Sequence, residues 1–173
     1  MRYPDLVLTL AAVSAFLVAP LHANPKDNAQ IDYPGFLDLS NEVAAFRGER
    51  LIGLFEFKER AAKSGTLILD TRSAAAFAEG HMAGAVNLPF SDFTDAKLRD
   101  VIGGNSDREI LIYCNNNFSN NIRPIVVKRA PLALNIPTFI NLYGYGYRNI
   151  YELGEIVDLY EPRVQWVGDD LGV

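Results

Sequence analysis

The chain is poor in the residues from which most metal and redox centres are built. Among its 173 residues there are one cysteine, Cys114, and two histidines, His22 and His81. A zinc site needs three or four Cys, His or carboxylate ligands at close spacing, and no such cluster is present, so no metal and no other cofactor is expected. One cysteine excludes an internal disulfide and also an internal resolving thiol. Basic runs are missing as well. With 16 Lys+Arg against 21 Asp+Glu the formal net charge is -5, and no basic block is interleaved with aromatics, so nucleic acid is not an expected partner. No apolar run reaches the about 20 residues of a comfortable membrane span. The pair Gly144-Tyr145-Gly146 lacks a third glycine and follows a predicted helix rather than a strand, so it is not read as a dinucleotide fingerprint.

What is there suffices for one ordinary domain. Hydrophobic residues make up 49% of the chain, enough to bury a sizeable core. At the amino end, Arg2 precedes the apolar run Leu6 to Val18, followed by Pro20 and Leu21-His22-Ala23, which reads as a secretory signal peptide over 1–23. An uncleaved anchor is the alternative. Cleavage after Ala23 implies a periplasmic or secreted protein with no stable membrane anchor, and a lipoprotein signal would need a cysteine directly after that point. Residues 24–34 are polar and proline-bracketed and are expected to form a flexible lead-in, with the domain occupying 35–173.

Along the domain, strand and helix signals alternate. Phe36 to Leu39 reads as a short strand and Ser40 as the cap of a helix through Phe46. Leu54 to Ser64 has helical spacing with Gly65 as its stop, and Thr66 to Asp70 is a continuous apolar run of the buried-strand type. Ser73 can cap Ala74 to Glu79, with Gly80 expected in a left-handed terminal conformation. Ala85 to Leu88 is a short strand, Thr94 can cap Asp95 to Val101, and Gly103-Gly104-Asn105 turns the chain into the run Ile110 to Tyr113. Asn135 to Tyr143 has helical potential, Asn149 to Leu153 is a last short strand, and an amphipathic tail follows. This alternation predicts an α/β domain with a mostly parallel sheet.

The most informative stretch is Ile110 to Asn121, "ILIYCNNNFSNN". A β-branched apolar run ends at Cys114 and gives way to small polar residues, which places the lone thiol at the carboxyl edge of a parallel strand. In open α/β sheets ligands bind at that edge. A thiol there is a candidate nucleophile.

Residues 67–89, "LILDTRSAAAFAEGHMAGAVNLP", resemble the rhodanese-like family. Its D-x-R and G-H-x-x-G-A-x-N-x-P pattern is matched by Asp70, Arg72, Gly80, His81, Gly84, Ala85, Asn87 and Pro89. "ILIYC" stands where the family places its nucleophilic cysteine, and "GYRNIYELG" is similar to the family's closing motif. The resemblance implies a central parallel sheet of about five strands flanked by helices, with the cysteine loop at its carboxyl edge. It also implies a sulfurtransferase or persulfide carrier, in which Cys114 takes a sulfane sulfur from a small donor such as thiosulfate and passes it to a thiol or protein acceptor. Asp70, Arg72 and His81 are expected to be structural parts of the motif.

Two departures from the family stand out. Family loops run C-x4-R, or C-x5-R in related phosphatases, whereas Ser119 and Asn120 occupy those positions here and no charge falls between Asn115 and Ile122. The loop residues Asn115, Asn116, Asn117, Phe118, Ser119 and Asn120 are candidate substrate contacts, with the asparagines equally suited to building a tight loop and Phe118 to core packing. The second departure is length: between the loop and its helix the chain carries an insertion, "NIRPIVVKRAP", of about a dozen residues, and long connections of this kind often form lids. Arg123, Lys128 and Arg129 within it are candidates for a cationic lid that replaces the missing arginine. Asn117-Phe118-Ser119 matches a glycosylation sequon, but a glycan beside the thiol would obstruct chemistry. Two other readings stay open, a non-catalytic rhodanese-fold binding module and a thiol redox protein using an external thiol.

Overall fold

The first strand expected from the sequence is instead part of a helix. A computed structural model describes residues 30–168, and in it α1 runs over Tyr33–Gly48. Phe36, Leu39, Val43 and Phe46 recur at three- and four-residue steps, the helical period, and Leu39, Val43 and Phe46 pack into the core. Ser40 caps nothing: its hydroxyl donates back to the Phe36 carbonyl at 2.7 Å, inside the helix. The expected signal peptide and most of the expected lead-in lie outside the described residues, and α1 starts two residues ahead of the boundary placed at Gly35. Among the described residues no helix is long and apolar enough to cross a membrane.

After α1 come β1 (Leu51–Ile52), α2 (Leu54–Ala61), β2 (Leu67–Asp70), α3 (Ala74–Glu79), β3 (Gly80–Met82), β4 (Ala85–Asn87), α4 (Asp95–Ile102), β5 (Ile110–Tyr113), α5 (Asn135–Gly144), β6 (Ile150–Leu153) and β7 (Trp166–Gly168). The caps read from the sequence are present at α3, where Ser73 Oγ accepts from Ala76 N-H, and at α4, where Thr94 Oγ1 accepts from Lys97 N-H, both at 3.2 Å. Helix α2 stops three residues early, and its first N-H, on Leu54, is met at 2.8 Å by the Glu155 carboxylate from far along the chain.

Five strands form one parallel sheet in the order β1-β6-β5-β2-β4. The residues of β2 and β5 alternate between its faces. Leu67, Leu69, Ile110 and Ile112 meet α1, α4 and α5 in one cluster, while Ile68, Leu111 and Tyr113 meet α2 and the segments around Phe118 and Val164 in another. Each such side chain contributes about 1.5–3 kcal/mol by leaving water, so a sheet clothed on both faces needs no further staple.

A small antiparallel ribbon, β3 with β7, lies outside that sheet. Neither strand has a local sequence signal, because each is three residues long and glycine-bearing. Gly80 is not left-handed: its φ of 163° is extended backbone that opens β3. What it supplies is room, since a Cβ there would collide with the Trp166 indole.

Candidate functional site

Cys114 directly follows β5 at the carboxyl edge of the sheet and opens a 3-10 turn over Asn115–Asn117. The turn is closed by Asn117, whose Oδ1 accepts from the Cys114 N-H at 2.8 Å, while the Asn116 N-H donates to Sγ at 3.3 Å. The backbone of Leu134 and Asn135, at the start of α5, also favours the thiolate. One N-H donor thus meets the thiol directly, and the helix amino end beside it favours an anion there. The thiol is nevertheless only 1% exposed. Burial pushes its pKa up, the backbone of Asn116, Leu134 and Asn135 opposes the rise, and the nearby Glu152 carboxylate reinforces it, leaving the thiol above its ordinary value.

The asparagines hold the loop, and Asn116 and Asn117 also border a cavity. Asn115 Nδ2 donates to the Val126 carbonyl at 2.9 Å. Asn116 pairs both ways with Lys128, donating to its carbonyl at 2.7 Å and accepting from its N-H at 3.1 Å. Buried Asn117 also donates to the Leu153 carbonyl at 2.5 Å and accepts from Asn135 Nδ2 at 3.1 Å, so one amide ties β5, β6 and α5 together. Asn120 Oδ1 accepts from Leu159 N-H at 2.6 Å. Ser119 N-H donates to the Val157 carbonyl at 2.9 Å. Phe118 is core, set edge-on against Tyr113 and Trp166 at centroid distances of 6.1 and 5.4 Å.

The insertion after the loop lies over it as a strap, and its cations do not grip the sulfur. Arg123 is exposed and forks onto Glu79 at 2.9 and 2.5 Å. Lys128 contributes its backbone to Asn116, and Arg129 precedes a 3-10 turn over Ala130–Leu132. Among the described residues no hydrogen bond or ion pair joins any of the three to Cys114. The physical reason is that Asn115 and Asn116 sew the strap down through its C=O and N-H groups, and its own Asn121 takes the Val127 N-H, which leaves its long side chains to solvent.

Asp70 and Arg72 sit at the end of the neighbouring strand β2, and His81 lies in β3. Asp70 and Arg72 are both buried, with Arg72 Nη2 at 2.6 Å from Asp70 Oδ2 and 2.7 Å from the Gly80 carbonyl. Tyr113 donates its hydroxyl to Asp70 at 2.6 Å and accepts from Met82 N-H at 3.0 Å. Burial works against the charge on Arg72, but bonding to Asp70 outweighs it and raises its pKa. His81 stacks on Phe77 at 3.7 Å and meets the Phe77 carbonyl through Nδ1 at 2.8 Å. None of these three contacts the thiol.

Three residues of the site carry no functional signal in the sequence. Arg47, at the end of α1, forks onto Glu152 of β6 at 2.6 and 2.5 Å, and Asn135 Nδ2 donates to Glu152 at 2.8 Å. For Glu152 the local trace is an acid inside the apolar strand "NIYEL"; its partner 105 residues earlier carries no local signal. A cavity of about 210 Å³ opens beside this pair, lined among others by Asn116, Asn117, Asn135 and Glu155. No cluster of His, Cys, Asp or Glu suited to a metal occurs among the described residues.

These features define a parallel α/β domain with a single thiol at its ligand-binding edge. The chain belongs to the rhodanese-like domain family, whose model matches residues 55–154, more than half of the sequence. That membership places it in the sulfurtransferase superfamily in general terms. It is similar to a crystal structure of the Alr3790 protein from Anabaena sp., at 17% identity over 59% of this chain and 77% of that one, with a TM-score of 0.41. The solution structure of the rhodanese-like domain of Alr3790 shares 19% identity over 60% and 67%, with a TM-score of 0.41. The BH2092 protein from Bacillus halodurans shares 14% over 68% and 74%, with a TM-score of 0.44. No curated protein matches the chain.

Proposed function

We propose that the protein is an exported, periplasmic or secreted, persulfide carrier or sulfurtransferase acting through Cys114. The Cys114 thiolate attacks the outer sulfur of a sulfane donor. The donor's S-S bond breaks, its remainder leaves with the bonding electrons, and the sulfur stays on Cys114 as a persulfide. An acceptor thiolate on a small molecule or protein then takes that outer sulfur, and Cys114 is released as thiolate. No cofactor is required.

The observation that carries this reading is the Asn116 N-H donated to the Cys114 sulfur at the carboxyl edge of the sheet, where the backbone at the start of α5 also favours the thiolate. It favours the anionic sulfur species that both steps pass through. Access requires the strap to lift, which breaks the amide bonds from Asn115 and Asn116 and withdraws Ile125 from its cluster with Phe118. Incubation with thiosulfate or another sulfane donor is expected to add the mass of one sulfur to the protein, releasable by cyanide and absent from Cys114→Ser. Failure of every donor to load the wild type would sink the reading.

A second reading, a non-catalytic rhodanese-fold binding module, is favoured by the same thiol's burial and raised pKa. It expects Cys114 to resist alkylation in the folded chain at every pH at which the fold persists.

A further inference from the structure

An unbroken line of hydrogen bonds runs from the surface of α1 to the backbone of Cys114. The Arg47 guanidinium forks onto Glu152, and Glu152 Oε1 accepts from Asn135 Nδ2 at 2.8 Å. The same Nδ2 donates its second hydrogen to Asn117 Oδ1 at 3.1 Å, and that oxygen also accepts the Cys114 N-H at 2.8 Å. Turned over, the Asn135 amide would set its oxygen against a carboxylate and a second amide oxygen, so Glu152 and Asn117 dictate its orientation. It keeps that orientation although its own Oδ1 is left buried without a partner. Asn135 is also a residue whose backbone, with that of Leu134, favours the thiolate. Glu152 thus holds the start of α5 against the cysteine loop, from a strand position where 3% exposure makes a carboxylate costly.

Resting on the persulfide reading above, we propose that Glu152 and Arg47 are positioning residues for Cys114: Glu152 sets the loop and the α5 start around the sulfur, and Arg47 decides how much of the carboxylate's charge reaches it. The two effects of Glu152 oppose each other. Its hydrogen bonds keep in place the backbone that favours the thiolate, while its negative charge disfavours that same thiolate. Arg47, with its side chain 30% exposed against 4% for Glu152, offsets the charge from the solvent side. The other charged groups on the packed elements are committed or turned out. Glu155 accepts from the Leu54 N-H, Glu42 from the Tyr143 hydroxyl, and Asp70 and Arg72 pair with each other. Arg50 stacks on Phe46 and Tyr151, and Lys128 and Arg129 of the strap are exposed. The thiol therefore gives up its proton against the Glu152 charge, and the rate of sulfur uptake follows the balance between that carboxylate and its guanidinium.

Because the chain has one cysteine, the test is direct. Full-chain protein isotope-labelled only at cysteine gives one Cβ resonance, whose pH titration reads thiol ionisation without reagent access. Glu152→Gln keeps an oxygen for Asn135 Nδ2 and removes the charge, and its midpoint is expected to fall by about 0.5 in pH or more. Arg47→Met keeps the carboxylate and removes the cation, and its midpoint is expected to rise by a similar amount. Arg47→Lys, which restores the charge without the fork, should bring the midpoint back toward wild type. The opposite signs separate this role from a merely structural one, because loosening the loop would move both variants down toward the ordinary ~8.5 of a thiol. In thiosulfate loading at neutral pH, Glu152→Gln should take up sulfur about threefold faster than wild type, following its larger thiolate fraction. Midpoints unchanged in both variants, or moved in the same direction, would overturn the assignment. If either variant fails to fold, Arg47→Lys must still titrate above wild type. If Cys114 never takes up sulfur in any variant, the persulfide reading falls by itself, and the Cβ titration still decides the role of the pair.

Discussion

Strands β2 and β5 lie side by side in the sheet, with Asp70 paired in register with Tyr113, yet they end in opposite ways. The end of β2 spends charge: Asp70 and Arg72 form a buried ion pair, bonded further to Tyr113 and Gly80. The end of β5 spends amides: Asn115, Asn116, Asn117 and Asn120 carry no charge and bond to backbone in four directions. The charged end fixes the scaffold and the neutral end fixes the thiol. A buried ion pair tolerates no loss of a partner, whereas a set of amides can be opened one bond at a time. The thiol thus lies on the strand end that can yield.

Breaking the charged end should have the largest effect. Asp70→Ala leaves Arg72 buried and uncompensated, and a loss of about 3–5 kcal/mol is expected in urea unfolding. A double replacement of Asp70 and Arg72 by apolar residues should cost less than that single change, and a larger loss would contradict the scaffold role. Asn117→Ala comes next, at about 2–3 kcal/mol, because it strips partners from the Cys114 N-H, the Asn135 amide and the Leu153 carbonyl. It should also speed alkylation of Cys114, an outcome that Asp70→Ala should match only as far as it populates unfolded chains.

The pH dependence of the thiol sharpens the contrast further. Cys114 holds its proton to higher pH in the folded chain than in the unfolded one, where a thiol titrates near ~8.5. Its contribution to stability is therefore complete below that value and is lost as pH rises through the raised folded pKa. Wild type should lose stability relative to Cys114→Ser only in that alkaline window, and labelling of Cys114 should stay slow at neutral pH. At the bottom of the scale is Arg123→Ala. Its pair with Glu79 is exposed, so neither stability nor the alkylation rate of Cys114 should change measurably. A large rise in alkylation would restore the lid role to that arginine.

Much of the scaffold was legible because its signals are local. The apolar runs of β2 and β5, the caps Ser73 and Thr94, and the D-x-R and G-H motif are each contained in a few adjacent residues. The misplaced strand at Phe36 to Leu39 shows the limit: four apolar-rich residues fit either period, and only the continuation to Val43 and Phe46 settles the helix. The cysteine was visible as a candidate site. The work of the asparagines was not, because Asn116 meets Lys128 and Asn117 meets Leu153 only after the chain has folded. Arg47 and Glu152 were hidden for the same reason, one in a helix and one in a strand, with nothing local to join them.

The ribbon of β3 and β7 reaches further than its length suggests. Gly80 and Gly168 face each other there, and a Cβ on either would run into its neighbours, with Gly168 also at a φ of 148° that side-chain-bearing residues rarely adopt. The pair works as a keyway. Shift β7 by one residue and a side chain lands where only hydrogen fits, so the ribbon has a single seating. That seating sets Trp166 against Phe118, four residues past the thiol, and makes alignment near the carboxyl end a condition for the shape of the cysteine loop.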